Sequence, residues 1–344
     1  MKKSLRQDDI SSWLVFFRDR GISESLISAY IPYILKLKKT NSPIIFEKQH
    51  LAHLIGIDEI TLDKIINSTH SFYRKFSILK KRGGIREIVA PYPSLLQCQK
   101  WIYNNILKCN AVHEACHGFT SQRSIITNAR IHTNQKCLLK MDLANFFPSI
   151  PINWVIKFFQ QLGYANNVSF YLATICCYDG FLAQGAATSP YLSNLLLVKL
   201  DERISRLCEK YHLRYTRYAD DLTLSGDYIP SDFSDLVKEI IDSYGLKINP
   251  EKTALLINSN KKIVTGISVS SEHIKVPREF KRKLKNEIHF IMKYGYISHI
   301  NQIKIRDPNY LHSLLGKVNF WLQVEPNNLQ AQTARDFIKN ILKK

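Results

Sequence analysis

Three carboxylates raise the question of chemistry. Asp220 and Asp221 lie side by side in YTRYADDLTLSG (215–226), a run whose Tyr, Thr and Leu otherwise have the composition of β-structure. Aspartate is disfavoured within strands but tolerated at a hairpin tip, so the stretch predicts strand, turn, strand with the pair at the turn. Solvated turn formers satisfy that geometry as well. A third aspartate, Asp142, ends the apolar run KCLLKMDL (136–143), which is of buried-strand type. If that strand end meets the hairpin tip, two carboxylates about 4 Å apart repel by roughly 4 kcal/mol at an effective dielectric of 20. A fold keeps such a cluster only if protons or a cation offset the repulsion. All-oxygen ligands without His or Cys select a hard cation, Mg²⁺ or Mn²⁺. A pair of such ions clamps the attacking and leaving oxygens of a phosphoryl displacement.

The rest of the chain must position these groups. Its 344 residues allow two or three compact units, and 45% hydrophobic with 11% aromatic content excludes a disordered chain. Lys and Arg number 48 against 29 Asp and Glu, a net charge of +19. Such an excess calls for a polyanionic partner, nucleic acid or an acidic membrane surface, and beside the carboxylates it points to nucleotidyl transfer. No uninterrupted apolar run of about 18 residues predicts a transmembrane span, and the start MKKSLRQDDISSWLVFF lacks a signal-peptide core. The seven cysteines are scattered without a CxxC pair, so reduced thiols in a cytoplasm are expected rather than zinc or disulfides.

Helical patterns fill residues 1–70, as in SESLISAYIPYILKLKK, where Leu26, Tyr30, Ile34 and Leu37 share one face. In FYRKFSILKKRGGIREIVAPYPS two short β-like runs flank KKRGG. Helices are expected across LLQCQKWIYNNILKC, NWVIKFFQQL, SFYLATICCY, SPYLSNLLLVKLDERISRLCEKYH and DFSDLVKEIIDSY, and strand-like runs at 253–258 and 262–269. Ser189 and Pro190 are placed as N-cap and first residue of their helix. From Pro277 onward the pattern is helical; Phe280, Leu284, Ile288 and Met292 form a stripe accompanied by Arg278, Lys281, Arg282 and Lys285. Strands confined to the middle of the chain predict an α+β core with helical flanks.

Seven ordered blocks over roughly 72–270 resemble those of reverse transcriptases. YTRYADDLTLSG is similar to their [YF]-x-D-D hairpin, LLKMDLANFFPSI to the preceding aspartate motif, and LAQGAATSPYLSNLLL to the Gln-Gly-…-Ser-Pro motif. KKRGGIREIVAP, HGFTSQRSIITNA, YGLKINPEKT and KIVTGISV match the remaining fingers and palm blocks. NARIH (128–132) and VTG (264–266) resemble two signatures of bacterial retron reverse transcriptases. Group II intron proteins, similar in the core, usually carry a maturase segment.

The resemblance implies a right-hand polymerase: a helical extension at 1–70, fingers and an antiparallel palm sheet at 71–274, and a helical thumb at 275–344. It makes Asp142, Asp220 and Asp221 the catalytic ligands of two Mg²⁺ ions, replaceable by Mn²⁺, with Leu143 offering a carbonyl. Arg86 with Lys80 or Lys81 contacts the incoming triphosphate. Phe147 excludes a ribose 2′-OH, and Gln184 and Gly185 line the nucleotide pocket. Asn128, His132, Val264, Thr265 and Gly266 bind the cognate RNA, and Arg278, Lys281, Arg282 and Lys285 track the template–product duplex. The family further implies a structured non-coding RNA as template and primer and deoxynucleoside triphosphates as substrates. Priming from a guanosine 2′-OH would leave a branched RNA–DNA product (msDNA). An effector protein in phage defence, a host RNase H and no membrane partner complete the expectation. An RNA-binding scaffold or antitoxin component with secondary polymerase activity is a different class of reading.

Overall fold

The structure is a computed structural model that describes residues 7–79 and 83–343. Its strands are β1 (Tyr73–Leu79), β2 (Ile85–Pro91), β3 (Cys137–Asp142), β4 (Cys177–Tyr178), β5 (Phe181–Leu182), β6 (Arg214–Tyr218), β7 (Asp221–Gly226), β8 (Ala254–Ile257), β9 (Ile263–Val264) and β10 (Ile267–Ser268). Two compact units are each assembled from three chain segments: Met1–His113, Ala144–Leu200 and Tyr244–Leu246 form the first, Glu114–Leu143, Asp201–Ser243 and Lys247–Lys344 the second.

In the first unit, helices Gln7–Asp19, Glu24–Lys39, Lys48–Ile55 and Glu59–Asn67 precede the antiparallel ribbon β1–β2. Ile27, Ile34 and Leu37 are buried on Glu24–Lys39, whereas Leu26, assigned to that face from the sequence, is 47% exposed. A buried Gln99 on the helix Pro93–Asn105 donates to the Tyr73 hydroxyl at 2.7 Å and to the Ile175 carbonyl at 3.0 Å. It also accepts from the Ala187 N–H, joining three segments that share no local pattern. Ser189–Leu196 and Val198–Lys210 are separate helices where the sequence suggested one. Helix Ser189–Leu196 has Thr188, not Ser189, at its N-cap position, with Pro190 inside the first turn.

The second unit holds a four-stranded antiparallel sheet in the order β6-β7-β3-β8. Leu138, Leu139, Met141, Leu222 and Leu224 are all buried, which accounts for the apolar residues of β3 on either side of Lys140. The helices Arg278–Tyr294, Tyr310–Val324 and Leu329–Leu342 close over one continuous core containing Val264, Ile267, Leu284, Ile288, Leu314 and Trp321. Ile291 takes the place assigned to Met292 in the buried stripe, and Met292 is 46% exposed. Ile291 lies three positions after Ile288 and Met292 four, so either step keeps roughly to one helical face; packing selects the former. No helix among the described residues is long and apolar enough to cross a membrane.

Candidate active site

β6 and β7 form a hairpin whose loop is only Ala219 and Asp220, because Tyr218 pairs with Asp221. Ala219 has φ 57° in this tight turn, a position that ordinarily favours glycine. On the other side of β7 the register sets Asp221 directly opposite Asp142 on β3. Like charges in that relation are destabilising, and Asp142 is only 4% exposed. Burial first, then the charges of Asp220 and Asp142, pushes the Asp221 carboxyl up to about 6. The Leu143 N–H donates to the Asp220 carbonyl at 3.0 Å, and Asn249 N–H donates to the Asp142 carbonyl at 2.7 Å. The three acidic residues are thereby tied together through backbone, independently of their side chains.

Lys252 supplies the offsetting cation. Its ammonium donates to both Asp142 oxygens, at 2.8 and 2.9 Å, and that hydrogen bond is the first cause of its raised pKa. Among the described residues no three acidic, histidine or cysteine groups already converge on one point. The donor set nevertheless suits a hard cation: carboxylate oxygens from adjacent strands, crowded enough to hold a proton at one of them. An ion reaching Asp142 competes with the ammonium for its oxygens.

The blocks NARIH and VTG meet inside the same unit. His132 is fully buried; its Nδ1 lies 2.7 Å from Ser225 Oγ and its Nε2 2.7 Å from Thr216 Oγ1, so it links β6 and β7 from beneath. Burial, with lesser contributions from His117 and Arg214, lowers its pKa to about 3, which keeps the ring neutral. Asn128 is 1% exposed and donates to Thr265 Oγ1 at 3.4 Å, and Thr265 Oγ1 donates to the Ile125 carbonyl at 3.1 Å. Thr265 (φ 45°) and Gly266 (φ 83°) make the two-residue turn between β9 and β10. The side chains of Asn128, His132 and Val264, to which the resemblance gives RNA binding, are all enclosed by protein in this structure. Of the five residues given RNA binding, Thr265 and Gly266 at the turn reach the surface.

In the first unit, Arg86 is exposed on β2 opposite Ile78, while Lys80 and Lys81 lie outside the described residues. The Gln184 carbonyl accepts the Val89 N–H at 2.9 Å, docking the Gln-Gly block on the edge of β2. A Cβ on Gly185 (φ 134°) would stand 2.6 Å from the Val89 carbonyl oxygen, so the close approach that requires glycine is to the protein's own strand. Phe146 is the buried core aromatic, and its neighbour Phe147, ring centroids 5.1 Å apart, is half-buried.

On the helix Arg278–Tyr294, Arg278, Arg282 and Lys285 are exposed. Lys281 is not a free phosphate-binding cation: it bonds Glu325 at 2.7 Å with 21% of its side chain accessible, and its ammonium stands 5.5 Å from the Trp321 ring centroid. Sequence reasoning overlooked Lys252, although it lies in the quoted block YGLKINPEKT, and the pair Arg217 and Asp201. A charged residue inside a strand of alternating Tyr and Thr was the available signal for Arg217.

The reverse transcriptase (RNA-dependent DNA polymerase) family profile matches residues 78–290. The retron Ec86 reverse transcriptase of Escherichia coli is 35% identical over 271 residues, which cover 77% of this chain and 85% of that protein. The retron Mx162 reverse transcriptase of Myxococcus xanthus is 31% identical, over 64% of this chain and 53% of that protein. Among solved structures, telomerase from Candida albicans bound to a telomeric RNA fragment aligns over 78% of this chain and 63% of that one, with a TM-score of 0.45 and 13% identity, too loose a likeness to argue from.

Proposed function

Since the chain belongs to the retron reverse transcriptases and is an RNA-directed DNA polymerase, we propose that Asp142, Asp220 and Asp221 are the carboxylates that carry its reaction. The observation behind this reading is the register that sets buried Asp142 opposite Asp221, with the Lys252 ammonium on Asp142. Reverse transcriptases use divalent metal ions; here Mg²⁺, or Mn²⁺ in its place, would be held by these three side chains, with the Leu143 carbonyl as a further donor. When bound, two such ions supply charge stabilisation to the attacking and leaving oxygens of a phosphoryl displacement. The protein's own part is to hold the carboxylates close together and to keep a cation at Asp142 until an ion takes its place.

Residues 71–274 serve as fingers and palm and 275–344 as the thumb in this reading. Arg86 and Gln184 then face the triphosphate and nucleotide, Phe147 screens the sugar, and Gly185 fixes the Gln184 backbone. Arg278, Arg282 and Lys285 bind phosphates of template and product, which the net charge of +19 supports. The template is a cognate structured RNA, primed from a guanosine 2′-OH to leave branched msDNA in the cytoplasm. An effector in phage defence and a host RNase H are the protein partners.

The decisive experiment is the double substitution Asp220→Asn with Asp221→Asn. It keeps side-chain size but removes anionic ligands, so metal-dependent DNA synthesis should vanish while folding and RNA binding persist. Undiminished incorporation would reject the assignment. The branched product is tested separately: DNA should stay linked to RNA after denaturation and be released by a 2′,5′-debranching enzyme.

A further inference from the structure

Two residues before the turn that carries Asp220, β6 contains an arginine that never reaches solvent. Arg217 and Asp201 are both 0% exposed, and they pair through two parallel bonds, Nε to Oδ1 at 2.8 Å and Nη2 to Oδ2 at 2.6 Å. The Tyr215 hydroxyl adds a third bond to Asp201 Oδ1 at 2.8 Å. A buried ion pair is weak evidence for stability, because replacing both partners by apolar groups is often neutral or favourable. Its presence here calls for another account.

That account lies in the remaining nitrogen of the fork. Arg217 Nη1 donates to the carbonyl of Ala219 at 3.1 Å. Ala219 is the residue that takes the left-handed backbone, φ 57°, and its carbonyl belongs to the peptide unit leading into Asp220. The arginine's own main chain is fixed at both ends, its N–H donating to the Ala115 carbonyl at 2.7 Å and its carbonyl accepting the His117 N–H at 2.8 Å. Directly behind the turn, a Cβ on Gly118 would come within 2.7 Å of the Ala219 nitrogen, so this segment backs the turn without a side chain between them. From the other direction the Leu143 N–H holds the Asp220 carbonyl.

We propose that Arg217, oriented by Asp201, is a positioning residue that clamps the strained Ala219 turn and so sets where Asp220 and Asp221 present their carboxylates to the metal ions. The inference rests on the metal-binding reading of that turn. A lysine cannot replace the arginine, since one ammonium cannot span both Asp201 oxygens and the Ala219 carbonyl in the planar fork geometry. Partners that orient metal ligands typically change activity or metal affinity by about 10–100-fold when removed.

Two variants test it in the full chain. Arg217→Lys keeps the buried charge. The triple variant Arg217→Met, Asp201→Leu, Tyr215→Phe removes the charges and the hydroxyl together, so within the pair no charge or hydroxyl is orphaned and the Ala219 carbonyl alone loses the bond under test. Both are assayed for melting temperature, RNA binding, and primer extension titrated with magnesium. The expected result is near-native melting and RNA affinity for the triple variant, with kcat down or half-saturating magnesium up by about 10–100-fold, and KM for the deoxynucleotide little changed. Arg217→Lys should show the same defect. Either variant, folded and with wild-type turnover and magnesium dependence, overturns the proposal. Asp220→Asn, run alongside, separates the two levels: full activity there rejects the metal-binding reading itself, whereas its inactivity beside wild-type clamp variants rejects only the clamp.

Discussion

Asn128 and Thr265 are 137 residues apart in sequence and 3.4 Å apart in the fold, joined from Asn128 Nδ2 to Thr265 Oγ1. The contact ties the helix Ile125–Ile131 to the β9–β10 turn and makes one device of two motifs that look independent in the sequence. Thr265 is β-branched and held at φ 45°, a conformation such residues rarely adopt. Its two hydrogen bonds, to Asn128 and to the Ile125 carbonyl, supply the restraint that keeps it there.

Thr265→Val keeps the side-chain shape and removes the hydroxyl, leaving the Asn128 amide and Ile125 carbonyl without this partner. The expected cost is about 1–3 kcal/mol of unfolding free energy, read by urea denaturation. Cognate RNA affinity should fall with the loosened turn, while extension of a generic primed template survives. Native stability together with lost RNA affinity would instead make Thr265 a direct reader.

His132 makes stability pH-dependent with a definite sign. Its folded pKa, about 3, lies below the ordinary value of 6.5, so below that value the unfolded chain binds the extra proton. The stabilisation is therefore present at neutral pH and lost as pH falls through the window between 6.5 and 3. Acidification from pH 7 to pH 5 should cost about 2 kcal/mol through this residue alone. Thermal melts of His132→Gln should start lower at pH 7 but decline less towards pH 5; an unchanged slope would remove His132 as the cause.

Arg278→Ala with Arg282→Ala should weaken cognate and unrelated RNA alike. Filter binding over a salt series should show a log–log slope shallower by about 1.5, the counterion release of two phosphate contacts. Lys281→Ala should behave differently, because its ammonium serves Glu325 and Trp321. It is expected to lower stability by about 1–2 kcal/mol with little change in salt slope. A slope change equal to that of the arginines would return Lys281 to the RNA surface.

Phe147→Ala should raise ribonucleotide relative to deoxyribonucleotide incorporation. The buried neighbour Phe146 already fills the core, so trimming the half-buried ring opens space at modest cost in stability. Competition between the two nucleotides in single-turnover extension measures it, and unchanged selectivity with a large drop in melting temperature would make Phe147 a packing residue.

By itself the sequence determined the α+β class, the strand ending on Asp142, the hairpin bearing Asp220 and Asp221, and the basic helix that begins at Arg278. Each of these is encoded locally, in apolar period, turn chemistry or charge along a few residues. Only the tertiary structure decided the rest. The register that opposes Asp142 to Asp221, the Lys252 ammonium on Asp142 and the Arg217–Asp201 pair join residues with no shared local pattern. The resemblance alone made Asn128 and His132 RNA-binding residues and Lys281 a duplex contact, because nothing local in the sequence shows the partners that enclose them. Burial of such a group is tolerated only where hydrogen bonds satisfy it, and those bonds come from segments that meet only when the chain is folded.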